Sequence, residues 1–291
     1  MRSICAAQPQ PLGIRALRIA LGLEYEGSGF CGWQSQPGGC AVQDALERAL
    51  AQVAGKTIET VCAGRTDAGV HALAQVVHFD VDLERAPSAW IRGGNALLPD
   101  SVAVNWARRV SPDFHARFSA TGRRYVYWLL NRAQRPGLLR GRVGWFYRRL
   151  DERAMLQGAQ CLVGSHDFSA FRAAECQAKS PVRRVDSLTV TRRDTWVVLE
   201  ITANAFLHHM VRNVAGLLMS VGHGESPPER VAAMLAARDR RINAVTAPPD
   251  GLYLAAVRYP EEFRLPGLAG ANDAGKFVQS AIIAGTSPDA V

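Results

Sequence analysis

The stretch Gly64-Arg65-Thr66-Asp67-Ala68-Gly69-Val70-His71 sets a carboxylate two residues from a guanidinium, between two glycines. A carboxylate can attack an electrophilic carbon or accept a proton, and a neighbouring cation favours its charged form. The same spacing also suits a structural ion pair with an Asx turn, so spacing alone leaves both readings open. Two further segments carry chemical groups. Arg117-Phe118-Ser119-Ala120-Thr121-Gly122-Arg123-Arg124-Tyr125-Val126-Tyr127 mixes cations with aromatic rings. Its three arginines can meet phosphates while Phe118 or Tyr125 offers a flat face to an unstacked base; an amphipathic strand with core tyrosines is the plainer alternative. The third is Leu207-His208-His209-Met210-Val211-Arg212-Asn213. Adjacent histidines on a helix point about 100° apart, so they need outside ligands to hold a metal, and capping or phosphate contact is expected instead. Arg212, among apolar neighbours on a helix that must pack against something, needs a carboxylate partner.

Elements must hold these groups in place. Ile58–Cys62 and Gln75–Phe79 are rich in β-branched and aromatic residues, so the Asp67 stretch reads as a loop tied at both ends to strands. The two glycines allow a sharp turn that presents Arg65, Thr66 and Asp67 at a rim. Leu17, Ile19, Leu21, Leu23 and Tyr25 alternate with period two, predicting a strand over 15–25. Val42, Leu46, Leu50 and Val53 recur at helical spacing. A helix over 89–97 and a strand over 102–110 complete β-α-β-β-α-β, the split order of ferredoxin-like folds. The second half repeats it: strand 125–130, helix 150–162, strands 185–191 and 196–202, helix 208–221, an inserted helix 228–238, and strand 252–259. The expected fold is α+β, two ferredoxin-like halves at 15–114 and 115–260 sharing a long, mainly antiparallel sheet, with helices on one face and a basic cleft on the other. Residues 1–14 read as a flexible arm and 261–291 as a disordered or weakly packed tail.

Composition narrows the classes. With 291 residues and 48% hydrophobic content, the chain can fill a sizeable core. No apolar run is long enough to span a bilayer, and residues 1–14 lack the apolar centre of a secretory signal, so a cytoplasmic protein is expected. Cys5, Cys31, Cys40, Cys62, Cys161 and Cys176 are scattered without a C-x-x-C pair, and read as reduced thiols with no disulfide or metal. Net charge is +8, and arginine dominates, since Lys56, Lys179 and Lys276 are the only lysines among 34 basic residues. Between Arg108 and Arg153 lie twelve arginines against Asp113, Asp151 and Glu152. That concentration suits a phosphate-tracking groove.

The run G-R-T-D-A-G-V-H-A followed by Gln75-Val76-Val77-His78-Phe79 resembles the signature of the TruA family of tRNA pseudouridine synthases. The segments at 117–127, 207–213 and Gly251-Leu252-Tyr253-Leu254-Ala255-Ala256-Val257 resemble the family's remaining motifs in the same order, so the likeness covers about 15–260. The resemblance implies a pseudouridine-synthase fold and isomerisation of uridine at tRNA positions 38, 39 and 40 in the anticodon stem-loop, by a homodimer, with no cofactor or metal. It implies Asp67 as catalytic carboxylate, Arg65 entering the stack as the nucleotide is flipped out, Arg212 paired with Asp67, Tyr125 against the target base and Leu252 lining its pocket. The isomerisation detaches uracil, turns it and rejoins it through C5, with no redox change. Asp67 has three routes: addition to C6, attack on C1′, or removal of the C2′ proton. Two other classes remain open, a non-catalytic RNA-binding module and a carboxylate-dependent base hydrolase or transglycosylase acting on RNA.

Overall fold

The structure is a computed structural model that describes residues 16–242 and 246–266, so the expected arm and the tail from 267 onward lie outside the described residues. The first half contains β1 (Leu17–Tyr25), α1 (Val42–Ala54), β2 (Val61–Cys62), β3 (His71–Val81), α2 (Pro87–Leu97) and β4 (Val102–Val110). The second contains β5 (Gly122–Asn131), β6 (Gly144–Phe146), α3 (Glu152–Ala159), β7 (Gly164–Asp167), β8 (Val182–Arg193), β9 (Trp196–Ala203), α4 (Met210–Gly222), α5 (Glu229–Ala237) and β10 (Leu252–Arg258).

Ten strands form one mixed sheet in the order β4-β1-β3-β10-β5-β9-β8-β7, with β2 added to β3 and β6 to β5. The duplicated order expected from the sequence is present: β4-β1-β3 and β10-β5-β9 have the same arrangement, with β2 and β8 paired to the third strand of each. The halves meet where β3 runs parallel to β10, His71 opposite Tyr253 and Ala72 opposite Leu254. Since β1 occupies one edge of β3 from Ala72 to Val81, β2 and β10 share the other edge at different heights. The β2–β3 connection at 63–70 therefore emerges at the seam between the halves.

Ile19, Leu21, Leu23 and Tyr25 turn to the main core with Leu46 and Leu50 of α1. Tyr125, Tyr127 and Leu129 do the same with Met210, Val214, Leu217 and Leu218 of α4. On the opposite face Val126, Trp128 and Leu130 cluster with their β9 neighbours Trp196 and Val198 and with Val143. Burial on both faces explains why β5 reads as an unbroken apolar run. Each fully buried side chain of this kind contributes about 1.5–3 kcal/mol.

The structure departs from the sequence reading in several places. β6 and β7, of three and four residues, were not expected, being too short to show alternation. Cys31 and Cys40, expected to be free thiols, form a disulfide with Cα atoms 5.5 Å apart. Gly32 and Gly39 take positive φ and fold the loop back, so that the Cys31 N–H donates to the Cys40 carbonyl at 3.0 Å. Cys62, Cys161 and Cys176 are free, and Cys5 lies outside the described residues. At the start of the expected tail, Phe263 packs edge-on against Phe114, with ring centroids 5.2 Å apart. Among the described residues, no helix is long and apolar enough to cross a membrane.

Candidate active site

The loop carrying Asp67 is tied down along its length by buried groups. Gly69 adopts φ +78°, and the Val70 N–H closes a turn onto the Asp67 carbonyl at 3.1 Å. A β-carbon at Gly69 would stand 2.8 Å from the Pro249 ring, so only glycine lets the segment before β10 lie this close. Gly64 is not among the positive-φ glycines, so the expected pair of backbone hinges reduces to one. Gly64 is instead bracketed by Gln75, which is fully buried. Gln75 Nε2 donates to the Gly64 carbonyl at 2.7 Å, and its Oε1 accepts from the Gly64 N–H at 3.4 Å. The Thr66 hydroxyl lies 2.8 Å from the Tyr25 hydroxyl, and the Thr66 carbonyl accepts from the Trp33 N–H at 3.0 Å. Gly32 completes the support, since a β-carbon there would meet the Thr66 carbonyl at 2.9 Å.

At the centre, Asp67 retains 17% side-chain exposure. Arg212 reaches it from the first turn of α4, with Nη1 donating to Asp67 Oδ2 at 3.1 Å and Nε to the Ala247 carbonyl at 2.9 Å. The guanidinium is thus fixed by two bonds and presents its charge to one carboxylate oxygen. Tyr125 lies beneath, 7% exposed, edge-on to Phe206 at 5.0 Å. Its hydroxyl is 3.9 Å from where a Gly64 β-carbon would stand. Burial, then the neighbouring Tyr25 and Asp67, push its phenol well above the ordinary tyrosine range. Leu252 opens β10 opposite Tyr127 and is buried, directly after the Pro249–Gly251 turn that packs on Gly69. Arg65 projects from the same loop and is exposed. The structure thus gathers Asp67, Arg212 and Tyr125, sets Leu252 directly after the turn that packs on the Asp67 loop, and leaves Arg65 on the rim.

The histidine pair differs from the sequence reading. α4 begins at Met210, and His209, at its N-cap, takes φ +61° and makes no side-chain capping bond. The 100° divergence of consecutive helical residues does not apply, and the rings lie 4.1 Å apart between centroids. His208 Nε2 stands 3.4 Å from Asp67 Oδ1, and His209 Nε2 stands 3.4 Å from Oδ2. Burial lowers the His209 pKa, against the pull of Asp67.

The arginine-rich segment divides by burial. Arg123, expected to meet phosphate, is 8% exposed. It donates instead to the carbonyls of Arg117, Ala63 and Asn204 at 2.7, 2.8 and 2.9 Å, riveting the start of β5 to the loop before Asp67. Arg124 pairs with Glu200 at 3.8 Å. Eight of the twelve arginines between 108 and 153 are exposed, so the basic character is that of a surface. Phe118, 75% exposed, rests on His115 at 4.3 Å with Arg117 at 5.5 Å, so the open flat face is Phe118 and not Tyr125. Local spacing does not mark Gln75, Tyr25 or Trp33 as supports of the site, and it assigns the histidines capping or phosphate contact instead of a place beside Asp67. A glutamine inside the apolar run of β3 was a visible signal, whereas the long-range supports left none.

Comparison with known proteins adds an independent finding. The family described as tRNA pseudouridine synthase matches residues 23–119 and 159–260. The chain is 53% identical over 250 residues to tRNA pseudouridine synthase A of Nitrosomonas eutropha, covering 86% of this chain and 90% of that one. It is 56% identical over 251 residues to the protein of that name from Chromobacterium violaceum, covering 86% and 96%. With the protein of that name from Nitrosococcus oceani the identity is 55% over 253 residues, covering 87% and 98%.

Proposed function

The chain belongs to the tRNA pseudouridine synthase family, and from that premise we propose that it converts uridines 38, 39 and 40 of the anticodon stem-loop with Asp67 as the catalytic carboxylate. The enzyme is an isomerase that acts on uridine in tRNA. The observation that carries the assignment of Asp67 is its position: a partly exposed carboxylate at the seam of the two halves, with one oxygen held at 3.1 Å by a guanidinium fixed from behind. Arg212 aims the carboxylate, leaving Oδ1 outside that bond, and Asp67 acts on the base or sugar of a nucleotide withdrawn from the stack. Flipping costs a few kcal/mol, and exposed Arg65 fills the vacated place. Tyr125 and Leu252 line the receiving pocket. The basic surface between 108 and 153 follows the phosphates, which suits one site serving three neighbouring positions by shape and charge. The working enzyme is a homodimer in which each cleft is completed by the partner.

Tritium placed at C5 of uridine in unmodified tRNA transcripts tests this reading. Isomerisation releases the label to water, hydrolysis leaves it on free uracil, and binding alone releases nothing. Transcripts retaining uridine at only one of positions 38, 39 or 40 are expected to release label, and a transcript lacking all three to release none. Release from the triply substituted transcript would refute the assignment of positions.

A further inference from the structure

We propose that Asp67, His208 and His209 form a binding site for one divalent cation of the zinc class, and that its occupation silences the reactive carboxylate. The silencing rests on the catalytic role proposed for Asp67; the binding does not. One ligand atom from each of the three residues lies within 4.8 Å of the others. His208 Nε2 and His209 Nε2 stand 3.4 Å from Oδ1 and Oδ2 respectively. Zinc binds imidazole nitrogen and carboxylate oxygen at about 2.0–2.1 Å in a tetrahedron, whose edges are then roughly 3.3–3.4 Å. Each separation equals such an edge, the two rings approaching opposite oxygens of the carboxylate, and exceeds the usual N–H···O bond of about 2.9–3.0 Å; a rotation of the carboxylate or of one ring brings both nitrogens onto one ion.

The convergence is a product of the backbone. His209 has φ +61° immediately before α4, and this turns two consecutive imidazoles towards one carboxylate. Two imidazoles and a carboxylate are a donor set of open zinc sites, and imidazole favours zinc over magnesium or calcium. Each ring must carry its proton on Nδ1 and offer Nε2. The groups are reachable from solvent, with side-chain exposures of 42% for His208, 30% for His209 and 17% for Asp67. Arg212 already holds Oδ2, so guanidinium and cation compete for one carboxylate. A carboxylate bound to a cation is no longer free to act on a nucleotide.

Calorimetric titration of the full-length protein with zinc chloride, without RNA, reads the site directly. One zinc per chain is expected, bound at least about tenfold more weakly by His208→Gln and by His209→Asn, as even outer-shell changes weaken sites about 10–100-fold. Asparagine tolerates the left-handed backbone at 209, so that variant keeps its fold. Tritium release by the wild type should fall over the same zinc range and return with EDTA. Absence of zinc binding, or equal affinity in the wild type and both variants, would overturn the proposal; the latter would assign the ion elsewhere, for instance to the Cys161 or Cys176 thiols. Loss of zinc binding in Asp67→Asn with tritium release retained would support the cation site while removing the catalytic role; the converse would sink the site and keep the role.

Discussion

Replacing Arg212 with lysine keeps the positive charge and removes the fork. The arginine makes two bonds, Nη1 to Asp67 Oδ2 at 3.1 Å and Nε to the Ala247 carbonyl at 2.9 Å. One ammonium on a flexible stem cannot reproduce that fixed pair of directions. If it stays with Ala247, Asp67 loses a hydrogen bond to a charged group, worth about 1.5–3 kcal/mol. When that bond is needed to aim the carboxylate, the loss appears in the barrier, and at about 1.4 kcal/mol per decade it slows the chemical step about 10- to 150-fold. Because net charge is unchanged, tRNA affinity should change little. Single-turnover tritium release at saturating enzyme reads the chemical step, and filter binding reads affinity. Arg212→Met, which removes the charge as well, should be slower than Arg212→Lys. A lysine variant within twofold of wild type in single turnover, but with weakened tRNA binding, would refute the aiming role and make Arg212 a phosphate contact.

Other expectations follow from the same geometry. Tyr125→Phe should slow turnover while leaving tRNA affinity largely intact; a large loss of affinity would make Tyr125 a docking residue. Reduction of the Cys31–Cys40 bridge, or Cys31→Ser, should destabilise the fold by about 2–3 kcal/mol by the loop-closure relation for a short loop, read as a shift in urea midpoint; titration of both thiols in the native oxidised protein would contradict it. His78 is held by burial at a pKa of about 4, against an ordinary value of 6.5. Below 6.5 the unfolded chain takes up a proton that the folded chain refuses, so stability should fall as pH drops from 6.5 towards 4. Urea midpoints across that window should therefore decline less in His78→Gln, and an equal decline would place the dependence elsewhere.

What the sequence made legible is what repeats locally. Alternation along Leu17–Tyr25 and helical spacing from Val42 to Val53 are confined to single elements, and β1 and α1 appear where they predict. The duplicated strand order follows because each half repeats the same succession of periodicities. Asp67 and Arg212 each stand out in their own segments, although 145 residues separate them. Less legible was whatever depends on one backbone angle or on a distant partner. His209 converges with His208 because a single residue takes φ +61°, and the apolar pattern around it reads as helix from His208. Arg123 looks like its neighbours in composition, yet the carbonyls of Ala63 and Asn204 that bury it lie in separate segments. The Cys31–Cys40 pairing is set by glycine geometry in a loop without periodicity. Gln75 and Tyr25 support the Asp67 loop from the sheet, through contacts that local spacing does not encode.

The carboxylate at 67 is the group on which the proposed chemistry depends. Asp67→Asn changes the charge of one group with little change in volume, and tritium release from C5-labelled tRNA reads the isomerisation without depending on which atom Asp67 touches. The expected result is a loss of at least about a thousandfold in single-turnover rate, the scale typical of groups that act on the reacting atoms, with tRNA binding and thermal unfolding close to wild type. Release within a few-fold of wild type by that folded, tRNA-binding variant would contradict the account.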